Sequence, residues 1–152
     1  TFDEYILNIN SIIKSIDGSN LLLIISFRPI GKLTFEIFKN LLLKSENYII
    51  TSNVPLANLI ENSSLVISHS STVLEEAIYA AKPVLLYDPQ KKYNHFDSII
   101  LKKIRHKKMI KCLNSQNNLF KTITDLINLN INEELRKKLF YKDYNQFIKL
   151  LN

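Results

Sequence analysis

At 152 residues, 46% of them hydrophobic, the chain can bury one sizeable core and is expected to form a single domain. Its formal charge of +6 suits a phosphorylated ligand or an anionic surface, and its one cysteine, Cys112, excludes both a disulfide framework and a Cys-X-X-Cys metal site. No apolar run approaches the ~20 residues needed to cross a bilayer, and these residues contain no signal-peptide pattern.

The elements follow in order from hydrophobic spacing. Apolar residues at Phe2, Ile6, Ile9, Ile12, Ile13 and Ile16 predict a helix over 2–16. It stops at the turn cluster Asp17-Gly18-Ser19-Asn20. The unbroken run Leu21–Phe27, closed by Arg28-Pro29, predicts a strand buried on both faces of a parallel sheet. A helix is expected over Lys32–Lys44, with Leu33, Ile37, Phe38, Leu41 and Leu42 on its inner side. Tyr48–Thr51 reads as a short strand, and Pro55 opens a helix to about Glu61.

The stretch Leu65–Pro89, LVISHSSTVLEEAIYAAKPVLLYDP, predicts a buried strand (Leu65–Ser68), a hydroxyl-rich turn (His69–Thr72), a helix (Val73–Ala81) and a second buried strand (Val84–Tyr87). A loop and short helix are expected over Tyr93–Lys103. Met109–Leu113 reads as the last strand, with Cys112 in the core. Asn114 or Ser115 would cap a helix over Gln116–Leu129, and Asn132 a final helix over Glu133–Leu151. Strands alternating with helices predict an α/β fold of Rossmann-like type, a doubly wound parallel sheet of about five strands with helices on both faces and helices at the C-terminus. The chain starts at Thr1 directly in helical pattern, as a piece of a longer two-domain protein would.

In such a sheet, ligands bind outside the carboxyl ends of the strands. That edge would carry Ser26–Ile30, Ser52–Val54, Ser68–Thr72 and Tyr87–Tyr93 on one rim. With only Gly18 and Gly31 as glycines, the chain has neither a G-X-G-X-X-G fingerprint nor a P-loop. Phosphate would therefore rest on hydroxyls and helix N-terminal amides. Ser70, Ser71 and Thr72 are the candidate phosphate contacts: one helix cap needs one hydroxyl, and three stand here. Glu76, and less directly Glu75, follow within reach of a sugar hydroxyl. His69 and Asp88 are further candidate contacts on the same edge. The plain alternatives are an N-cap for the hydroxyls, a dipole-stabilising carboxylate for Glu76, a surface ion pair for Arg28 and a turn for Asp88-Pro89. His95 and His106 lack metal-ligand spacing, and no metal site is expected. The cationic run Lys102–Lys111 and the Arg136–Lys138 segment do not line an aromatic-studded groove, so no nucleic-acid partner is expected.

The strand-end Arg-Pro of SFRP, the block NSSLVISHSSTVLEEAIYAAKPVLLYDP and the late strand with two helices resemble the C-terminal, donor-binding half of a GT-B glycosyltransferase of the bacterial capsule and surface-polysaccharide type. The resemblance covers about Leu21 to the C-terminus. It implies transfer of a sugar from a UDP-, CDP- or CMP-linked donor to a polysaccharide or glycolipid acceptor. The donor phosphate would lie on Ser70–Thr72 and the ribose on Glu76, with no cofactor beyond the nucleotide-sugar substrate and no metal. Relatives often carry His-Pro where this chain has Arg28-Pro29; arginine can clamp phosphate but does not supply a proton at neutral pH. The acceptor site would come from an N-terminal half, without which the fragment would be inactive. The implied location is cytoplasmic, peripheral to the inner face of the plasma membrane, with Lys102–Lys111 on anionic lipid. Three alternatives remain open: a nucleotide-sugar 2-epimerase of the non-hydrolysing type, a glycerophosphotransferase, and a non-catalytic α/β interaction domain. The glycerophosphotransferase is the weaker, because Ser68-His69 stands where such chains carry an acidic residue and tyrosine.

Overall fold

The computed structural model describes residues 2–68, 72–92 and 108–129. The chain divides into two compact units, Thr1–Leu59 and Ile60–Asn152. Among the described residues it is a mixed α/β protein in which every strand pairing is parallel, in one two-stranded and one three-stranded sheet flanked by helices.

The first unit opens with α1 (Phe2–Ile16), β1 (Leu23–Ser26), α2 (Phe35–Asn40) and β2 (Tyr48–Thr51). α1 begins with Asp3 and Glu4 and ends with Lys14, charges that complement the helix dipole. Its isoleucines at positions 6, 9, 12, 13 and 16 form the buried stripe. The turn after it is set by Gly18, whose φ of +72° an L side chain rarely adopts, and by the Ser19 N–H donating to the Ile16 carbonyl at 3.0 Å. β1 and β2 pair in register from Leu23↔Tyr48 to Ser26↔Thr51. The core packs Ile6, Ile9 and Ile13 of α1 against Ile25 and Phe27 on one side of β1, and against Phe38 and Leu42 of the α2 segment. Phe27 and Phe38 stack with ring centroids 4.2 Å apart.

Two asparagines tie this unit together. Asn10 on α1 donates to the Leu41 carbonyl (3.0 Å) and accepts from the Leu43 N–H (2.8 Å), fixing the end of α2 to α1. Asn47, just before β2, accepts from the Gly18 N–H (3.1 Å) and donates to the carbonyls of Ser19 (2.9 Å) and Leu21 (2.7 Å). One amide side chain thus satisfies three main-chain groups of the turn that feeds β1.

Two expectations for this unit fail. β1 is not buried on both faces: Ile25 is buried, but Leu22 is 57% and Ile24 43% exposed, as is Ile49 (49%), the register partner of Ile24. α1 and α2 pack on the Ile25 side, so the other side carries the exposed isoleucines. The second helix is also shorter than the expected Lys32–Lys44. Ile30 and Leu33 form a bridge around Gly31 (φ +59°), and Thr34 then caps the helix by accepting from the Ile37 N–H at 3.3 Å. Ile37 and Leu41, placed on the inner side by spacing, are exposed, whereas Phe38 and Leu42 are buried.

α3 (Leu56–Glu61) follows Pro55 and spans the boundary between the units. The second unit contains β3 (Val66–Ser68), α4 (Thr72–Tyr79), β4 (Val84–Tyr87), β5 (Ile110–Leu113) and α5 (Leu119–Ile127). The sheet order β3-β4-β5 puts β4 in the middle, and all four of its residues are buried, as an apolar central parallel strand should be. α4 packs on β3 and β4, and α5 packs on β4 through a face that buries Leu119, Ile123 and Leu126. β3 is only half-buried, unlike the buried strand expected there.

α4 ends earlier than Ala81. The Ala81 N–H bonds the Ile78 carbonyl and the Lys82 N–H bonds the Ala77 carbonyl, both at 2.9 Å, with Ala81 at φ +52°. This is a Schellman closure, made with alanine where glycine is usual. The Lys82 ammonium donates to the carbonyls of Glu61 (2.6 Å) and Ser63 (2.9 Å), which satisfies acceptors at the C-terminal end of α3. Cys112, expected in the core, is exposed: β5 is an outer strand of the three and turns this residue outward. Asn114 and Ser115 do not cap the next helix. α5 starts at Leu119 after Asn118, which sits at φ +63° and makes no side-chain cap bond. The expectations for Tyr93–Lys103, Asn132 and Glu133–Leu151 lie outside the described residues.

Candidate functional site

The candidate site grows from the carboxyl end of the three-stranded sheet. β3 ends at Ser68, and α4 begins at Thr72 after a connection of only residues 69–71. The first amides of α4 lack intrahelical partners and carry the positive end of the helix dipole. Ser68 pairs with Leu86 of β4, so the end of β4 lies beside the end of β3. There the Asp88 N–H donates to the Leu113 carbonyl at 3.1 Å, and the Lys91 N–H donates to the Asp88 carbonyl at 3.0 Å, closing a turn. Ser68, the α4 N-terminus, Asp88 and Leu113 thus share one edge of this sheet.

Of the residues selected from sequence, Thr72 is the first residue of α4, and Glu75 and Glu76 lie on that helix. Glu76 is exposed and follows Thr72 by four positions, so the two lie on one helical face a turn apart. Asp88 is only 3% exposed, so it is part of the packed end of β4 rather than an open side chain of the rim. His69, Ser70 and Ser71 lie outside the described residues. Arg28 belongs to the first unit, exposed beyond the end of β1, where the Phe27 N–H donates to the Thr51 carbonyl at 2.9 Å and extends the pairing with β2. Of the run Lys102–Lys111, residues 102–107 lie outside the described residues. Lys108 is exposed, and Lys111 pairs with Asp125 at 3.5 Å in a half-exposed contact worth little.

Sequence reasoning gave no role to Lys82 beyond its place in the Lys-Pro match. The signal was a lysine beside a proline at a helix-to-strand joint, where a long cation can reach the carbonyls of a neighbouring helix end. Asn47 carried no sequence signal, because its three partners are main-chain groups up to 29 positions away.

The fold and this edge define a protein of the α/β class with parallel sheets, the architecture in which ligands meet strand ends and helix N-termini. No protein-family model matches the chain, and no curated protein matches its sequence. Among the described residues, no helix is long and apolar enough to cross a membrane.

Proposed function

We propose that this chain is the donor-binding domain of a GT-B-type glycosyltransferase, which transfers a sugar from a nucleotide-sugar to a surface-polysaccharide or glycolipid acceptor. The observation that carries this reading is the short β3–α4 joint, which sets the N-terminus of α4 at the carboxyl edge of a parallel sheet. In this reading the donor phosphate accepts hydrogen bonds from those amides and from the hydroxyls of Ser70, Ser71 and Thr72. Glu76, exposed one turn along the helix, accepts from the ribose hydroxyls, with Glu75 as its neighbour.

These groups do what a leaving nucleotide requires. As the bond from sugar to phosphate oxygen lengthens, negative charge grows on the phosphate, and fixed donors already aimed there stabilise it without reorganising. The acceptor hydroxyl and the base that takes its proton would belong to a preceding half of the protein. The protein would work in the cytoplasm at the inner face of the plasma membrane.

The test is titration of the isotopically labelled chain with CMP, CDP and UDP, read by amide resonances. Shifts centred on Thr72–Glu76 are expected. Glu76→Gln should weaken nucleotide binding about tenfold, the loss of one charged hydrogen-bond acceptor. No shift with any nucleotide, or shifts confined to the Lys108–Lys111 surface, would overturn the reading.

A further inference from the structure

The carboxyl edge of the two-stranded sheet has a character of its own. Arg28–Lys32 leaves β1 and Ser52–Pro55 leaves β2, and because the strands are parallel neighbours both loops emerge from one edge. The first loop folds over at Ile30, which bridges to Leu33; the Leu33 N–H donates to the Ile30 carbonyl at 3.0 Å, and Gly31 takes the positive φ at the bend. That turn holds the Ile30 side chain in solvent at 75% exposure, the most exposed of the large hydrophobic residues among those described. Arg28 and Lys32 flank it, both exposed, and Val54 of the second loop is exposed as well. Neither loop contains a carboxylate; the nearest in sequence is Glu36, in the first turn of α2.

We infer that this edge is a docking surface for an anionic lipid bilayer, with Ile30 entering the acyl boundary and Arg28 and Lys32 meeting the headgroups. An apolar side chain held out on a hydrogen-bonded turn and flanked by two cations complements a surface with negative headgroups outside and hydrocarbon beneath. A soluble anion would use the cations and leave Ile30 idle. The inference depends on neither Glu76 nor the α4 N-terminus. It shares no residue with the β3–α4 joint, and the nucleotide titration reads that joint separately.

The chain contains no tryptophan, so Ile30→Trp installs the sole tryptophan, excited selectively at its red edge, at the tip. The experiment compares sedimentation and emission with vesicles of phosphatidylcholine alone and with vesicles containing about 30% phosphatidylglycerol. The expected result is a blue-shifted Ile30→Trp emission only with the anionic vesicles, reversed on raising salt from about 0.1 to 0.5 M as the Debye length shrinks. Ile30→Ser, which leaves the charge untouched, should lower partitioning about tenfold, and Lys32→Gln should lower it severalfold. The exposed position predicts unchanged thermal unfolding for both, which separates lost docking from lost folding. Three results would overturn the inference: no sedimentation with anionic vesicles; sedimentation without an emission shift, which moves the contact to another cationic surface such as Lys102–Lys111; or full competition by millimolar inorganic phosphate, which makes the edge a free-anion site.

Discussion

Replacing Asn47 separates hydrogen-bond geometry from mere side-chain volume. Its carboxamide satisfies the Gly18 N–H and the carbonyls of Ser19 and Leu21 at 3.1, 2.9 and 2.7 Å. Asn47→Ala leaves all three without that partner. The two carbonyl contacts are part-buried and the Gly18 contact exposed, so water replaces part of the loss. At about 0.5–1.5 kcal/mol per bond, with the exposed one at the low end, the cost is about 2 kcal/mol. For a chain of this length that lowers the melting temperature by about 4–8 °C, followed by circular dichroism. Asn47→Asp keeps an acceptor for the Gly18 N–H but sets a carboxylate oxygen against the Ser19 and Leu21 carbonyls, with Asp17 close by through its hydrogen bond from Ser45 (2.6 Å). At neutral pH the Asp variant should therefore be less stable than the Ala variant, although it is closer in shape. Those carbonyls disfavour the charged form and raise the folded-state pKa of the new carboxyl above its unfolded value of about 3.9. Its protonated form is thus stabilised below that value, and the benefit is lost as pH rises through the folded-state pKa. The Asp variant should recover relative to Ala in acid. An Ala variant melting within about 1 °C of the parent, or an Asp variant at least as stable as Ala at pH 7, would refute the role given to this side chain.

Phe38, fully buried and stacked on Phe27, should cost about 3–5 kcal/mol when replaced by alanine, read as a lower urea midpoint with little change in slope. Lys82→Met keeps the aliphatic stem but removes the ammonium from the Glu61 and Ser63 carbonyls; a loss of about 1–2 kcal/mol is expected, where a merely solvated lysine would give none. Burial raises the pKa of the Tyr5 phenol above 10.0, so its contribution to stability is complete below that pH and is lost as pH rises through the folded-state pKa. Tyr5→Phe should therefore flatten the fall in melting temperature above pH 10 and leave the neutral-pH value little changed, as unfolding scans from pH 7 to 11 would report.

What the sequence disclosed follows from how local each signal is. α1, β2 and β4 stand where spacing and apolar runs put them, because a helix with a five-isoleucine stripe and a four-residue apolar strand state their own periods. The burial of β1 was not legible, since a run such as LLLIISF is equally apolar whether one face is covered or two. The end of α4 escaped because the Schellman closure uses Ala81 at positive φ, and the usual signal for that closure is a glycine. The cap of α5 escaped for the same kind of reason: Asn114 and Ser115 are good capping residues, but the chain turns again through Asn118 before the helix starts. At the candidate site, the strand-to-helix joint and the placement of Glu76 on the helix were legible. The burial of Asp88 was not, because it depends on the packing around the end of β4.

The central position of β4 connects the core to the chemistry proposed here. A strand buried at all four residues and hydrogen-bonded on both sides can shift its register only by breaking both ladders at once. Its pairing of Ser68 with Leu86 sets where β3 ends, and α4 starts at Thr72, four residues further on. At its far end α4 is closed by the Ala81–Lys82 turn, and Lys82 in turn holds the Glu61 and Ser63 carbonyls at the end of α3. α4 thus packs on the buried strand β4 and is closed at its far end by the Ala81–Lys82 turn. An oxyanion or phosphate site requires donors fixed before the charge develops. In the proposed reading, a buried strand followed by a short joint would serve that purpose without a glycine-rich loop, in a chain with only two glycines.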